Sequence, residues 1–151
     1  MIAINNFTIK KSEEQGNTAK FEIGPLPSGY GHTLGAVLRR VLLSSIPGSA
    51  ITAINIEGVE HEYSTLSGLN DDILAVVLSL KNVVVTSKSL EPVNVKLNFK
   101  ADSDTADVKA SSIEKTADVE VVNGDYTITT LTKKGAEFNA ELTVESGVGY
   151  K

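Results

Sequence analysis

The sequence contains no cysteine. Disulfides, thiolate metal sites and a cysteine nucleophile are thereby excluded, and the absence is compatible with a cytoplasmic location. Histidine is nearly as scarce, with only His32 and His61. His61-Glu62 lacks the second histidine of a zinc-protease motif, and nothing in the spacing of the two histidines marks a ligand pair, so no metal or cofactor is expected. No apolar run approaches the roughly 18 residues of a membrane helix, and no membrane association is expected. The opening MIAINNFTIKKSEEQGN lacks a signal-peptide pattern, because its apolar run is short and its charges follow that run. Basic residues are also sparse beyond the first third. Residues 1–50 carry five basic and three acidic side chains, residues 51–151 nine and sixteen. Broad binding to a phosphate backbone needs clustered Lys and Arg, so no direct nucleic-acid contact is expected.

What is present suits a globular chain. Its 151 residues, 41% of them hydrophobic, are enough for one domain or two small subdomains. A chain of this size buries about 70% of its unfolded surface. Ile2, Ile4 and Phe7 read as a weak strand, and the alternating 19–23 segment as a better one. Leu34, Val37, Leu38, Val41 and Leu42 recur at helical spacing, with His32 or Thr33 at the expected start, Thr33 as the cap, and Pro47-Gly48 as the stop. Leu43 and Ile46 widen the apolar surface beyond what one packing partner would cover. A strand is expected over 50–57, a second helix over about 70–81 capped by Asn70, and strands over 83–85, 93–99, 119–122, 126–131 and 136–144. This order points to an α+β fold.

Few residues offer chemistry. Gly29, Gly31 and Gly35 open a helix after a strand, but the glycine spacing departs from a dinucleotide-binding loop, and a tight turn with close packing explains them better. A nucleotide-binding enzyme using the 29–35 loop is the alternative kept here, beside a stand-alone β-rich binding module. The ADSDTAD run over 101–107 begins like a calcium loop, yet it lacks the glycine, and Ile113 stands where the bidentate Glu is needed; a solvated acidic loop is expected. Asp71 and Asp72 are neighbours on a helix and do not converge. No nucleophilic triad can be grouped, so no catalytic residue is expected. Arg39-Arg40 stands apart, because planar guanidinium groups set between Leu38 and Val41-Leu42-Leu43 suit pairing with a partner's carboxylate or backbone.

The strings GHTLG, LRRVLLSSIPG, IEGVEHEYST, DDIL and LSLK occur in order between Gly31 and Lys81. Together they make residues 29–85 resemble the amino-terminal domain of bacterial and plastid RNA polymerase alpha subunits; an echo returns at Gly147-Val148-Gly149-Tyr150. The resemblance implies a cytoplasmic, non-catalytic scaffold within a nucleotidyltransferase complex active in transcription. Such a subunit dimerises with a second alpha subunit and nucleates assembly of the beta and then the beta-prime subunit. It implies a discontinuous dimerisation subdomain (1–51, resumed at 147–151) with an inserted, mostly β subdomain at 52–146. Gly31, His32, Leu34, Val37, Leu38, Val41 and Leu42 are then expected at the dimer interface. Arg39, Arg40, Leu43, His61, Glu62, Tyr63, Ser64, Thr65 and Lys81 are expected to meet the beta subunit. This sequence departs from the family at Ala36 and Ser79, where Asn is common, and at Ser146 and Val148, where basic residues are usual. The family's chain is expected to continue past Lys151 into strands and a helix that pairs with the helix at Gly31, and to carry a separate DNA-binding domain.

Overall fold

The computed structural model describes residues 7–16 and 18–149. The part of the first expected strand that rests on Ile2 and Ile4 lies outside them. The described residues form nine strands, two α-helices and one 3-10 turn, an α+β fold dominated by sheet. They fall into two compact units, Met1–Ile46 and Pro47–Lys151.

In the first unit, β1 (Thr8–Gln15) and β2 (Thr18–Gly24) form an antiparallel hairpin. β1 was not expected from its TIKKSEEQ sequence, which has no apolar alternation. Backbone pairing, a register shift between Lys11 and Glu13, and bonds from the Thr8 hydroxyl to the Gly24 carbonyl (3.0 Å) and the Ser12 hydroxyl to the Lys20 carbonyl (3.2 Å) hold it instead. Lys11 and Glu14 add a surface ion pair, of the kind that contributes little. Helix α1 (Tyr30–Ser44) begins earlier than expected. Its cap is Gly29, at φ 84°, a left-handed conformation that an L side chain adopts only with strain. His32 and Thr33 therefore lie inside the first turn, and no side chain caps the helix. At its far end the Ser45 N–H donates to the Val41 carbonyl (2.9 Å). Pro47 and Gly48, expected to stop the helix, open the next strand.

The second unit is built on a five-stranded sheet in the order β5-β9-β3-β4-β7, each neighbouring pair antiparallel. Its strands are β3 (Pro47–Ile56), β4 (Val85–Ser87), β5 (Val93–Lys100), β7 (Val119–Val121) and β9 (Glu137–Val148). Strand β9 is paired along both sides, with β3 and with β5. Its alternate residues Phe138, Ala140, Leu142 and Val144 are buried, opposite Val95 and Leu97 of β5, which are buried too. On β3 the apolar residues Ile51, Ile54 and Ile56 are out of strict alternation. An extra residue between Ile51 and Ala53 resets the phase, so that Ile51, Ile54 and Ile56 stand opposite Val144, Leu142 and Ala140. Across β5 and β9, Lys100 and Glu137 pair at 2.8 Å; the contact raises the lysine's pKa and lowers the carboxylate's.

A second ribbon, β6 (Ala106–Lys109) with β8 (Thr127–Leu131), and helix α2 (Ile73–Leu80) complete the core. β6 lies where only an acidic loop was expected. Asp102–Thr105 is exposed, but Ala106 and Val108 point inward and Asp107 accepts from the Thr130 hydroxyl (2.8 Å). α2 starts three residues later than expected. The Asn70 N–H is committed to the Thr130 carbonyl (3.0 Å), and the Asp71 carboxylate to the buried Thr129 hydroxyl (2.8 Å). Asp72 is thus the cap, accepting from the Ala75 N–H at 2.7 Å. Ile73, Val76 and Leu80 enter the core with Val95, Leu97, Phe138 and Leu142. Burial of each such side chain contributes about 1.5–3 kcal/mol. Val83 is buried at the exit of α2, where its N–H still bonds the Leu80 carbonyl (3.1 Å), and β4 begins at Val85.

Replacing Phe138 with Ala should lower unfolding stability by about 3–5 kcal/mol, and Asp72→Ala by about 1 kcal/mol. Urea denaturation of the full chain measures both, and equal midpoints for the two variants would contradict this ranking.

Candidate functional site

The residues singled out from the sequence fall in both units, and each group has its own geometry. In α1 none of the fifteen residues has a buried side chain. Leu34 is half-buried, while Val37, Leu38, Val41, Leu42 and Ile46 are exposed, and Leu43 is 73% exposed. Gly31 and His32 sit on its first turn. Arg39 lies one turn from Leu42 and Leu43, and Arg40 one turn from Val37 and Leu43. Neither arginine has an ion-pair partner among the described residues. The helix therefore presents a wide apolar surface with two cationic forks set in it. Contiguous exposed apolar surface of this kind is characteristic of association.

Gly31 and Gly35 are helical, and the chain passes directly from Gly29 into the first turn. Gly29 is thus the turn residue at the helix start, and Gly31 and Gly35 are residues of the helix itself.

The His61–Thr65 run forms a tight turn. The Ser64 N–H and hydroxyl both reach the His61 carbonyl, and the Ser64 carbonyl accepts from the Ile73 N–H (3.3 Å). The turn is thus pinned against the start of α2. Glu62 and Thr65 are exposed, and Tyr63 is 75% exposed. Lys81 caps the opposite end of α2, about 12 Å away for an eight-residue helix. The structure does not place this lysine beside the turn, but the helix connects them. Leu74 and Leu78 lie on the outward side, at i and i+4 with Lys81 at i+7, and Leu78 is 53% exposed. These two leucines were missed in the sequence. Their spacing was visible, but the stronger series Ile73, Val76, Val77 and Leu80 on the core side obscured it. Beside Lys81, a small hollow of about 110 Å³ is lined by Ile51, Ala53, Ile54 and Val77.

The family described as the RNA polymerase Rpb3/RpoA insert domain matches residues 54–151. The chain belongs to that family. It is 46% identical over 134 residues to a DNA-directed RNA polymerase subunit alpha of Roseiflexus sp. (strain RS-1), covering 89% of this chain and 41% of that protein. The corresponding subunit of Tropheryma whipplei (strain Twist) is 42% identical over 150 residues, covering 99% of this chain and 45% of that protein. The chain thus spans less than half the length of these curated relatives. The resemblance to polymerase alpha subunits read from the motifs holds across nearly all of it. Against the family pattern, the Ser146 hydroxyl is turned inward to Ser49 (3.1 Å) and the Ser89 carbonyl (3.0 Å), while Val148 is exposed. Tyr150, the last residue of the expected glycine-tyrosine turn, lies outside the described residues.

Among the described residues, no group of three or more potential ligands is placed to hold a metal, and no helix is long and apolar enough to cross a membrane.

Glu62 affects the titration of Tyr63. Its carboxylate accepts a hydrogen bond from the phenol and its charge disfavours phenolate, so Tyr63 is held above its ordinary value near 10. Glu62→Gln should move the Tyr63 titration down toward about 10. Ring-resonance NMR across alkaline pH reads this directly, and an unmoved titration would rule out the contact.

Proposed function

We propose that this chain is a non-catalytic scaffold subunit of a bacterial DNA-directed RNA polymerase, acting in the cytoplasm. In this reading it dimerises with a second copy and nucleates capture of the beta and then the beta-prime subunit. The observation that carries the proposal is α1: a helix bearing the polymerase-alpha motifs, with no buried side chain and with Arg39 and Arg40 amid exposed leucines and valines. Such a helix is unexplained as the support of a catalytic site and well suited to an interface. The relatives named DNA-directed RNA polymerase subunit alpha support the same assignment. The dimerisation subdomain comprises residues 1–51 and resumes at 147–151, with 52–146 as the inserted β-rich part.

In detail, Gly31, His32, Leu34, Val37, Leu38, Val41 and Leu42 pack against the second copy. Arg39, Arg40 and Leu43 meet the beta subunit, as do His61, Glu62, Tyr63, Ser64, Thr65 and Lys81. The energetic logic is that of other interfaces: apolar area supplies most of the affinity, and a few arginines near the centre set the register. A second reading, a stand-alone β-rich binding module, is favoured by the buried core, which among the described residues runs from Ile56 to Val144. It expects no capture of a beta subunit at all.

Arg40→Ala should leave the circular dichroism spectrum unchanged and weaken co-purification with the beta subunit at least about five-fold, as loss of an interface arginine commonly does. Unchanged co-purification counts against the assignment. Light scattering on the purified chain should show self-association that grows with concentration; a monomer across a hundred-fold range would refute the dimer interface.

A further inference from the structure

The exit from α2 is held by a side chain forty residues away in sequence. The helix closes with Lys81 N–H to the Val77 carbonyl (3.3 Å), Asn82 N–H to Ser79 (3.0 Å) and Val83 N–H to Leu80 (3.1 Å). Asn123, in the turn between β7 and β8, then lies along residues 82–84. Its Oδ1 accepts from the Val84 N–H at 2.8 Å, and its Nδ2 donates to the Asn82 carbonyl at 2.9 Å. The side-chain amide thus serves as a paired strand's peptide would. It extends the ladder in which the Val122 N–H meets the Val84 carbonyl (2.9 Å). Both partners are backbone groups of fixed polarity, so the site requires one acceptor and one donor side by side. A carboxylate lacks the donor and an alanine lacks both. Asn123 is itself fixed, because its carbonyl accepts from the Tyr126 N–H (3.0 Å), and the Tyr126 hydroxyl accepts from Asn82 Nδ2 (3.2 Å).

We infer that Asn123 is a positioning residue of the partner-binding surface: it fixes the carboxyl end of α2 and so sets where Lys81 meets the beta subunit. The inference rests on the reading of Lys81 as a beta contact. Asn123 acts through the helix exit and touches no partner itself. The Asn123-Gly124-Asp125 sequence reads as a simple turn signal, and the turn supplies this second role by presenting the amide inward.

The test uses the full chain with the beta subunit and compares Asn123→Ala, Asn123→Asp and Lys81→Glu. In Asn123→Ala, hydrogen exchange of the Val84 amide should accelerate at least ten-fold, amides of Leu97 and Leu142 should hold, and beta capture should weaken three- to ten-fold. Asn123→Asp keeps the acceptor and loses the donor. It should therefore keep more Val84 protection while still weakening capture, and it serves if the alanine variant fails to fold. Lys81→Glu should weaken capture without changing Val84 exchange. Faster exchange with undiminished capture, while Lys81→Glu weakens capture, overturns the positioning role and leaves the contact reading intact. Equal acceleration at Leu97 and Val84 overturns it as well, since the effect is then global. Undiminished capture by Lys81→Glu overturns the contact reading and the inference with it.

Discussion

The two-sided pairing of β9 is the constraint on which the second unit depends. Phe138, Ala140, Leu142 and Val144 alternate along it, and both neighbours must meet it in phase. A slip of one residue on either side would turn a full apolar set to solvent. The extra residue near Thr52 is how β3 meets that demand, because it lets isoleucines at 51, 54 and 56 share one face. Ile73, Val76 and Leu80 of α2 then join the same buried cluster as Val95 and Leu97 of β5 and Phe138 and Leu142 of β9.

The two helices solve opposite problems. α2 commits Ile73, Val76 and Leu80 to the core, and leaves Leu74, Leu78 and Lys81 outward on a body that cannot tilt without disturbing buried packing. Interface residues on such an element lose little further freedom on binding. α1 has no buried side chain, and its apolar surface is wide. What it offers is apolar area and the two arginines.

Legibility in the sequence followed the source of each element's stability. α1 and β5 were readable because apolar side chains recur at 3.6 and at 2 residues. β1 was not, because Lys10, Lys11, Glu13 and Glu14 interrupt any pattern, and backbone pairing alone defines it. β6 was hidden because only Ala106 and Val108 point inward from an acidic run. The cap of α1 was misplaced because a left-handed glycine starts a helix without any side-chain signal. The cap of α2 was misplaced because Asn70 and Asp71 are drawn to β8, a pairing across sixty residues. The polymerase motifs were legible as strings, yet they did not reveal the stripe joining the His61–Thr65 turn to Lys81.

One consequence of the sheet order concerns how the chain is made. β9 lies inside the sheet, between β5 and β3, but leaves the ribosome after every other strand of it. Until residues 137–148 emerge, Ile51, Ile54 and Ile56 have no strand on their principal side, and Val95 and Leu97 have none either. α1 has emerged well before then, with its leucines and valines already displayed. A nascent chain of this design therefore carries two sticky surfaces until β9 is made, a hazard typical of sheets closed by distant segments. The arrival of β9 removes one of them at a single step, while the apolar surface of α1 stays displayed.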